Sequence, residues 1–517
     1  MEPQPNRAPI PAQRKIKDLL DLASILSNLR NDGRKIVHCH GVFDLLHVGH
    51  LRHFEEAKRY GDILVVTLTP DQWVNKGPHR PAFPEDLRAE MVGALGCVDF
   101  VAINHWPSAV ETIKLLKPHY FAKGSEYRDA GKDVTGHISA EEEAVQAIGA
   151  QIVFTEDVVF SSSTLINRHL PRLTKEATDF LRDFSARSSI EDLFRPIEKS
   201  RELKVLVVGE TIIDEYHYCQ TLGKAGKEPI LAMRYESSET FAGGNLAVAN
   251  HVASFTDNVR LLSYLGAEDS QENFARSRLN PNVATDFFFM PNAPTIIKRR
   301  YIERYPFQKM FEVYFMKDYD SESKQAVRFR ETLRQLLPQF DLVIVTDYGH
   351  GMLDPKAVDV LCEGARCLAV NTQSNAGNHG FNTISKYPRA DYVCLSEYEL
   401  RLEARQRREE VREIMHKVAE KLNCRKVMVT QGNLGLLCYT RGEGYIRVPA
   451  FTGHFTDRVG AGDAVFAMTS LLMAQDVPAE LMALVGNAVG AMAVEIIGNR
   501  TAIDRVALQK FLVSLVK

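Results

Sequence analysis

His47 and His50 flank a glycine in the run Gly41-Val42-Phe43-Asp44-Leu45-Leu46-His47-Val48-Gly49-His50, and the residues on either side decide what two imidazoles could do there. Lys35-Ile36-Val37-His38-Cys39 has the apolar density of a buried strand, and Leu51 to Arg59 carries the spacing of a helix. The pair therefore falls at a helix N-terminus. Free backbone N–H groups and the helix dipole favour phosphate at that point, and Gly49 has no side chain to hold phosphates off. Imidazoles so placed can donate to the charge that builds up when an α-phosphate is attacked. On spacing alone, His-x-x-His at a helix start is equally a capped, solvated turn.

A second hydroxyl-rich helix start lies far downstream, in Phe160-Ser161-Ser162-Ser163-Thr164-Leu165-Ile166. Ser162, Ser163 and Thr164 can cap a helix and donate to phosphate oxygens. Taken together, the two helix starts resemble the His-x-Gly-His and Ser/Thr-Ser-Thr signatures of the cytidylyltransferase-like nucleotidyltransferases, over about residues 15 to 170. The resemblance implies that Gly41, Phe43, Asp44 and Gly49 help bind the nucleotide. It also implies that Lys76, Arg80 and Arg88, in the basic stretch Asn75 to Arg88, neutralise its phosphates. Lys123-Gly124-Ser125-Glu126-Tyr127 resembles the family's Lys-Gly-Gly-Asp-Tyr segment, which puts Lys123 and Gly124 near the nucleotide. Within this class the similarity is greatest to the adenylyltransferase half of the bifunctional heptose kinase/adenylyltransferases of ADP-heptose synthesis. That tilts the expected nucleotide towards ATP over CTP. The alternative for each of Lys76, Arg80 and Arg88 is a plain surface charge.

The second half has its own candidate. Asp457-Arg458-Val459-Gly460-Ala461-Gly462-Asp463-Ala464 precedes a long apolar helix, and the N–H groups of Gly460, Ala461 and Gly462 would face an anion. Asp463 beside them could take a proton from a sugar hydroxyl attacking a γ-phosphate. This segment resembles the C-terminal signature of the PfkB, or ribokinase-like, sugar kinases. Val208 to Tyr216 resembles their opening strand, with Asp214 on the sugar. Phe241-Ala242-Gly243-Gly244-Asn245 resembles the turn beneath the sugar, and Val429-Thr430-Gln431-Gly432 a strand end near the nucleotide, with Thr430 and Gly432 as contacts. Thr295 to Tyr301 resembles the lid-associated segment of the heptose kinase half. Four departures bear on activity. Arg458 stands where the signature usually has Thr, His350 where Lys commonly follows Asp-Tyr, and Asn371-Thr372-Gln373 where Asp-Pro-Lys is usual. Of the magnesium-linked Asn-x-x-Glu motif only Glu399 remains, in Ser396-Glu397-Tyr398-Glu399, which leaves it the one candidate metal contact.

A chain of 517 residues exceeds one ordinary core. Strand-like runs at Ile63–Thr67, Phe100–Ile103 and Gln151–Phe154 alternate with helical patterns, which predicts an α/β fold with a mainly parallel sheet and flanking helices. The expected division is a disordered tail over 1–14, then a Rossmann-like nucleotidyltransferase domain over 15–170 that opens with an amphipathic helix, Ile16 to Leu29. A helical connector without an obvious core face spans 171–200, and a ribokinase-like domain with a small lid spans 201–517, starting at the strand Lys204–Gly209. With 63 basic against 66 acidic residues and a net charge of -3, no global field draws nucleic acid, so phosphate chemistry must be local. The eight cysteines form no Cys-x-x-Cys pair, which argues against a zinc site and a disulfide framework. The polar, Pro-rich start lacks a signal-peptide core, and the most apolar stretch, Leu481 to Gly498, contains Asn487 and Glu495 and reads as a buried helix.

The resemblances thus imply a cytoplasmic bifunctional enzyme with magnesium as cofactor, acting on a sugar or polyol phosphate and ATP or CTP, without nucleic acid or membrane partners, and a homodimer. Its two halves stand in the reverse of the heptose enzymes' order. A monofunctional nucleotidyltransferase with a ligand-binding or dimerising pseudokinase domain is the alternative.

Overall fold

The structure, a computed structural model, describes residues 11–74, 81–124, 137–155, 173–305, 307–453 and 455–516. Lys76, Arg80, Ser125 to Tyr127 and the hydroxyl cluster Ser161 to Thr164, with Ser162 and Ser163 inside it, lie outside the described residues. Two compact units are present, Met1–Arg172 with Gln509–Leu515, and Leu173–Leu508 with Val516.

In the first unit a helix α1, Pro11–Lys15, occupies the end of the stretch expected to be tail, and Ala12 is buried there. Helix α2 runs Leu19–Asn31 and not Ile16 to Leu29, because the Asp18 carboxylate accepts the N–H of Leu20 at 2.8 Å and sets the start. Its Leu22 and Leu26 are buried one turn apart, as the helical period requires. The strands are β1 Ile36–Gly41, β2 Ile63–Leu68, β3 Phe100–Ile103, β4 Tyr120–Gly124 and β5 Gln151–Thr155, all parallel in the order β3-β2-β1-β4-β5. Alternation along β1 sends Val37 and Cys39 to one face, where they pack with Phe54 of α3 (Val48–Lys58) and Val92 of α4 (Glu85–Gly93). On the other face Ile36 packs with α2 and with Leu116 of α5 (Val110–Leu116), while Phe121 meets Ala144 of α6 (His137–Ala147). Crossovers that leave β1 and β4 on opposite faces open a crevice between their carboxyl ends, the place where such sheets bind ligands.

The second unit begins with two helices, Lys175–Ser185 and Ile190–Lys199, in the stretch expected to connect without a core face. Both have one. Ala177, Leu181 and Phe184 of the first are buried, as are Leu193 and Ile197 of the second, because dense charges on the outer face hid a regular apolar stripe. A nine-stranded sheet follows, β10-β9-β6-β13-β14-β15-β16-β17-β18, parallel except for its last two pairings. Its strands include β6 Lys204–Gly209, β9 Asn258–Gly266, β10 Val283–Met290, β13 Leu342–Asp347, β14 Leu368–Thr372, β15 Tyr392–Ser396, β16 Lys426–Thr430, β17 Leu436–Thr440 and β18 Gly444–Val448. A separate four-stranded sheet, β12-β11-β7-β8, is built from β7 Thr211–Lys224, β8 Leu231–Gly243, β11 Ile296–Glu303 and β12 Gln308–Phe315. The apolar helices Ala461–Met473 and Ala479–Ala493 are almost wholly buried. Asn487 is reconciled to that burial by donating to the carbonyls of Val448 and Pro449. No described helix is long and apolar enough to cross a membrane.

Candidate functional site

Between Gly41 and Val48 the chain folds back sharply, with Phe43 at φ 47° and Leu45 at φ 52°, both in the left-handed region. A Cβ on Gly41 would stand 3.1 Å from the Phe43 ring, which would have to yield by a few tenths of an ångström. Asp44 was expected at the nucleotide, but it anchors this loop. Its two carboxylate oxygens each accept the Ala82 N–H at 2.9 Å, and Oδ1 also accepts that of Phe83. Arg88, expected on phosphate, is likewise a fastener. Fully buried, its guanidinium donates to the carbonyls of Phe83, Val42 and Thr69 and to Asp71 Oδ1 at 2.6 Å. A fork of donors in one plane joins the loop after β1 to both ends of the connection between β2 and α4.

His47 caps α3 with extended backbone, and its Nδ1 accepts the Gly49 N–H at 3.1 Å. An imidazole that accepts at Nδ1 carries its proton on Nε2 when neutral. Burial lowers the His47 pKa, which favours that neutral ring. His47 Nε2 is buried and has no hydrogen-bond partner among the described residues. The His50 ring stacks on it at 3.9 Å between centroids and meets Phe43 edge-on at 5.5 Å. The result is a fixed pair of rings at a helix start, with one N–H that meets no acceptor among the described residues. Gly49 supplies the first-turn N–H that orients His47. Across the crevice, Lys123 at the end of β4 pairs with Glu141 at 2.6 Å, beside Gly124. His53, one turn along α3, bonds Thr155 at 2.7 Å.

In the second unit Gly460, at φ 81°, precedes the helix that opens with Ala461, Gly462 and Asp463. A Cβ at Gly460 would fall 1.9 Å from Asn499 Oδ1, so glycine is required by both conformation and space. Asp463 is buried in the first turn and accepts the Tyr348 hydroxyl at 3.2 Å. Burial, with the nearby Asp214 and Glu399 carboxylates, raises its pKa to about 7. Asp214 lies on β7 and ion-pairs with Arg300 of β11. Gly243 makes room for it, since a Cβ there would meet Asp214 Oδ2 at 2.3 Å. Gly244, at φ 55°, turns the chain into the following helix. Asn245, expected on the sugar, donates its Nδ2 to the Gly209 carbonyl, while its buried Oδ1 has no partner among the described residues.

Glu399, the candidate metal contact, closes a capping box. Its carboxylate accepts from Ser396 N and Oγ at 2.8 Å and from Ser374 N at 3.1 Å. One oxygen therefore holds the helix start and the other ties it to the loop after β14. Thr430 ends β16 and Gly432 follows at φ 57°. Arg458, in place of the usual Thr, lies over the Phe455 ring at 3.8 Å.

Lys298 and Glu210 were not singled out from the sequence, and they surround His350, which was. Lys298 is 4% exposed and alternates with Arg300 on the face of β11 that also holds Asp214 of β7 in register. Burial lowers the Lys298 pKa. The same burial, with the Lys298 charge, takes His350 down to about 4. His350 Nε2 is buried without a partner among the described residues. Glu210 is fully buried, accepts the N–H groups of Tyr348 and His350 at 3.0 Å each, and is raised to about 7 by burial and Asp347. A glutamate inside the apolar run Val205 to Ile213 was the signal available for it.

Comparison with known proteins places these sites in families. A cytidylyltransferase-like family model matches residues 38–169. The chain is 43% identical over 129 residues to "Bifunctional protein HldE" of Aliarcobacter butzleri, 25% of this chain and 27% of that protein. It is 39% identical over 160 residues to the protein of the same name from Desulfatibacillum aliphaticivorans, 31% of each. The chain thus spans under a third of the length of these curated relatives. Among solved structures, phosphofructokinase-2 from Escherichia coli in complex with potassium superposes with a TM-score of 0.50 at 17% identity, over 61% of this chain and 100% of that one, a shared fold. The pfkB family carbohydrate kinase model matches residues 202–505, more than half of the chain, and the chain belongs to that family, with a cytidylyltransferase-like domain ahead of the kinase domain.

Proposed function

We propose that the first unit transfers a nucleoside monophosphate from ATP, or from CTP, to a sugar 1-phosphate such as a heptose phosphate, and that the second phosphorylates the sugar from ATP. In the first reaction a sugar-phosphate oxygen attacks the α-phosphorus in line, the bond to the β-phosphate bridging oxygen breaks, and pyrophosphate leaves. No protein nucleophile is needed. The observation that carries this reading is His47 Nε2, a buried donor at a helix start with no partner among the described residues and a second imidazole stacked on it. Such a donor, already oriented, stabilises charge on the α-phosphate without reorganising. Lys76 and the 161–164 hydroxyls are proposed to complete the phosphate contacts.

In the second reaction a sugar hydroxyl gives its proton to Asp463 and attacks the γ-phosphorus, and ADP leaves. A pKa raised to about 7 suits a base working near neutrality. Gly460, Ala461 and Gly462 would hold the transferring phosphoryl group, and Asp214 the sugar. Magnesium is read as arriving with the nucleotide phosphates, the way this ion binds when few carboxylates are offered. The described residues fit that mode, since they include no group of three or more metal-ligating side chains.

The test is pyrophosphate release from four nucleoside triphosphates against a panel of sugar and polyol phosphates. His50→Ala is expected to lose about 100-fold in that reaction while keeping sugar-dependent ADP formation. Retained nucleotidyl transfer in His50→Ala removes the assignment. A second reading, a pseudokinase that binds ligand or holds a dimer, is favoured by the closed capping box around Glu399. It wins if wild-type protein forms no ADP with any sugar and Asp463→Asn changes nothing.

A further inference from the structure

Imidazoles whose hydrogen bonds run in one direction can be assigned a single tautomer, and β1 carries two, the buried His38 and the half-buried His40. His38 and His40 lie on the same face of the strand, with Thr67 of β2 opposite His40 in register. His38 Nε2 approaches Thr67 Oγ1 at 2.7 Å, and His40 Nδ1 approaches the same oxygen at 2.8 Å. His40 Nε2 lies 3.3 Å from Thr69 Oγ1, and His38 Nδ1 is buried with no partner among the described residues. Neither ring is charged. Burial takes His38 down to about 3, with Lys123 adding to the effect, and burial, His38 and Lys123 take His40 well below the ordinary histidine value.

A neutral imidazole has one N–H, and a threonine hydroxyl one O–H. If His40 donated to Thr67 and Thr67 to His38, the His38 proton would sit on Nδ1, an orphaned buried donor. If both rings donated to Thr67, its own hydroxyl proton would have no acceptor in the string. One arrangement places every donor: His38 Nε2–H to Thr67, Thr67 O–H to His40 Nδ1, and His40 Nε2–H outwards to Thr69. Orphaned buried donors are rarer than orphaned acceptors, which favours this direction.

We propose that His40 is a further residue of the nucleotidyl-transfer site, a neutral imidazole whose Nε2–H donates to the substrate phosphates, with His38 and Thr67 as positioning residues that hold its tautomer. Its place supports this. His40 is half-buried and is the penultimate residue of β1, directly before the loop that delivers His47 and His50. By the register Cys39 to Ala122, it stands level with Lys123 at the mouth of the β1–β4 crevice. Its outward bond is the longest of the three, so a phosphate oxygen can replace Thr69 as acceptor without breaking the string. The arrangement parallels His47, whose Nε2–H is also fixed by a bond at the other ring nitrogen.

The inference rests on the nucleotidyltransferase reading, and the experiment separates the two. Full-length wild type, Thr67→Val, Thr67→Ser, His40→Phe and His40→Gln are assayed for pyrophosphate release from ATP and CTP with sugar phosphates, alongside thermal melts. Thr67→Val is expected to lose at least about tenfold in kcat with less than about a twofold change in KM for the nucleotide, and Thr67→Ser to restore it. His40→Phe is expected to lose about 100-fold, and His40→Gln, which keeps an N–H, to retain most of the rate. Thr67→Val as active as Thr67→Ser, or His40→Phe as active as wild type, overturns the inference and leaves the reading standing. Should Thr67→Val melt early, the His40→Gln and His40→Phe comparison decides alone. A wild type that releases no pyrophosphate with any pair overturns both.

Discussion

Arg88→Met keeps most of the apolar stem of a fully buried side chain and removes its donors. Four acceptors lose their partner: the carbonyls of Phe83, Val42 and Thr69, and Asp71 Oδ1. All four bonds are charge-assisted, but methionine also escapes the cost of burying a cation, so a net value near 1 kcal/mol for each adds to about 4 kcal/mol. Asp71 is 39% exposed, so water takes over part of its loss and the figure belongs at the lower end of that for breaking a buried pair, about 3–5 kcal/mol. With a urea m-value of about 2 kcal/mol/M, the midpoint should fall by about 2 M. Both tryptophans of the chain, Trp73 and Trp106, belong to the first unit, so fluorescence excited at the indole band follows that unit alone. The nucleotide KM of the folded variant should stay within about twofold of wild type. An unchanged urea midpoint together with a raised KM would refute the structural role and return Arg88 to the phosphates.

Other expectations follow from the second unit. Because burial raises Asp463 to about 7, sugar-dependent ADP formation should climb with pH through that value, and a rate flat from pH 5 to 8 would rule Asp463 out as the base. The same shift has a stability consequence of opposite sign. Between the unfolded value near 4 and the folded value near 7 the native state binds the extra proton, so stability is lost as pH rises across that window. Asp463→Asn should therefore raise the melting temperature more at pH 8 than at pH 5, measured by calorimetry. Gly460→Ala should abolish ADP formation through its clash with Asn499. Adding Asn499→Ala should restore only part of it, because φ 81° still penalises alanine by about 1–2 kcal/mol, and full recovery would show that conformation is not the constraint. Lys298→Met should raise the sugar KM while leaving pyrophosphate release from the first unit unchanged, and a loss of both ADP formation and pyrophosphate release would mean that Lys298 acts through global stability.

What the residues alone determined was periodicity and punctuation. The strands at 36, 63, 100, 151 and 204, the helix starts at His47 and Gly460, and the split into two α/β units were legible because apolar spacing, glycine and capping residues act over a few neighbours. The amphipathic helices at 175–199 escaped because their charged faces outweigh the apolar stripe in composition. What only the tertiary structure decided was the occupation of polar groups. Asp44, Arg88, Asn245 and Glu399 have the right types in the right motifs, yet their donors and acceptors are largely engaged by backbone groups tens of residues away or, for Glu399, by its own helix cap. Lys298 and Glu210 sit inside motif segments without standing out there, and His40 sits in none, yet folding sets Lys298 in register with Asp214, Glu210 under the Tyr348 and His350 N–H groups, and His40 on Thr67. A side chain's chemistry depends on which hydrogen bonds it has left to make, and those partners come from strands and loops that only folding brings together.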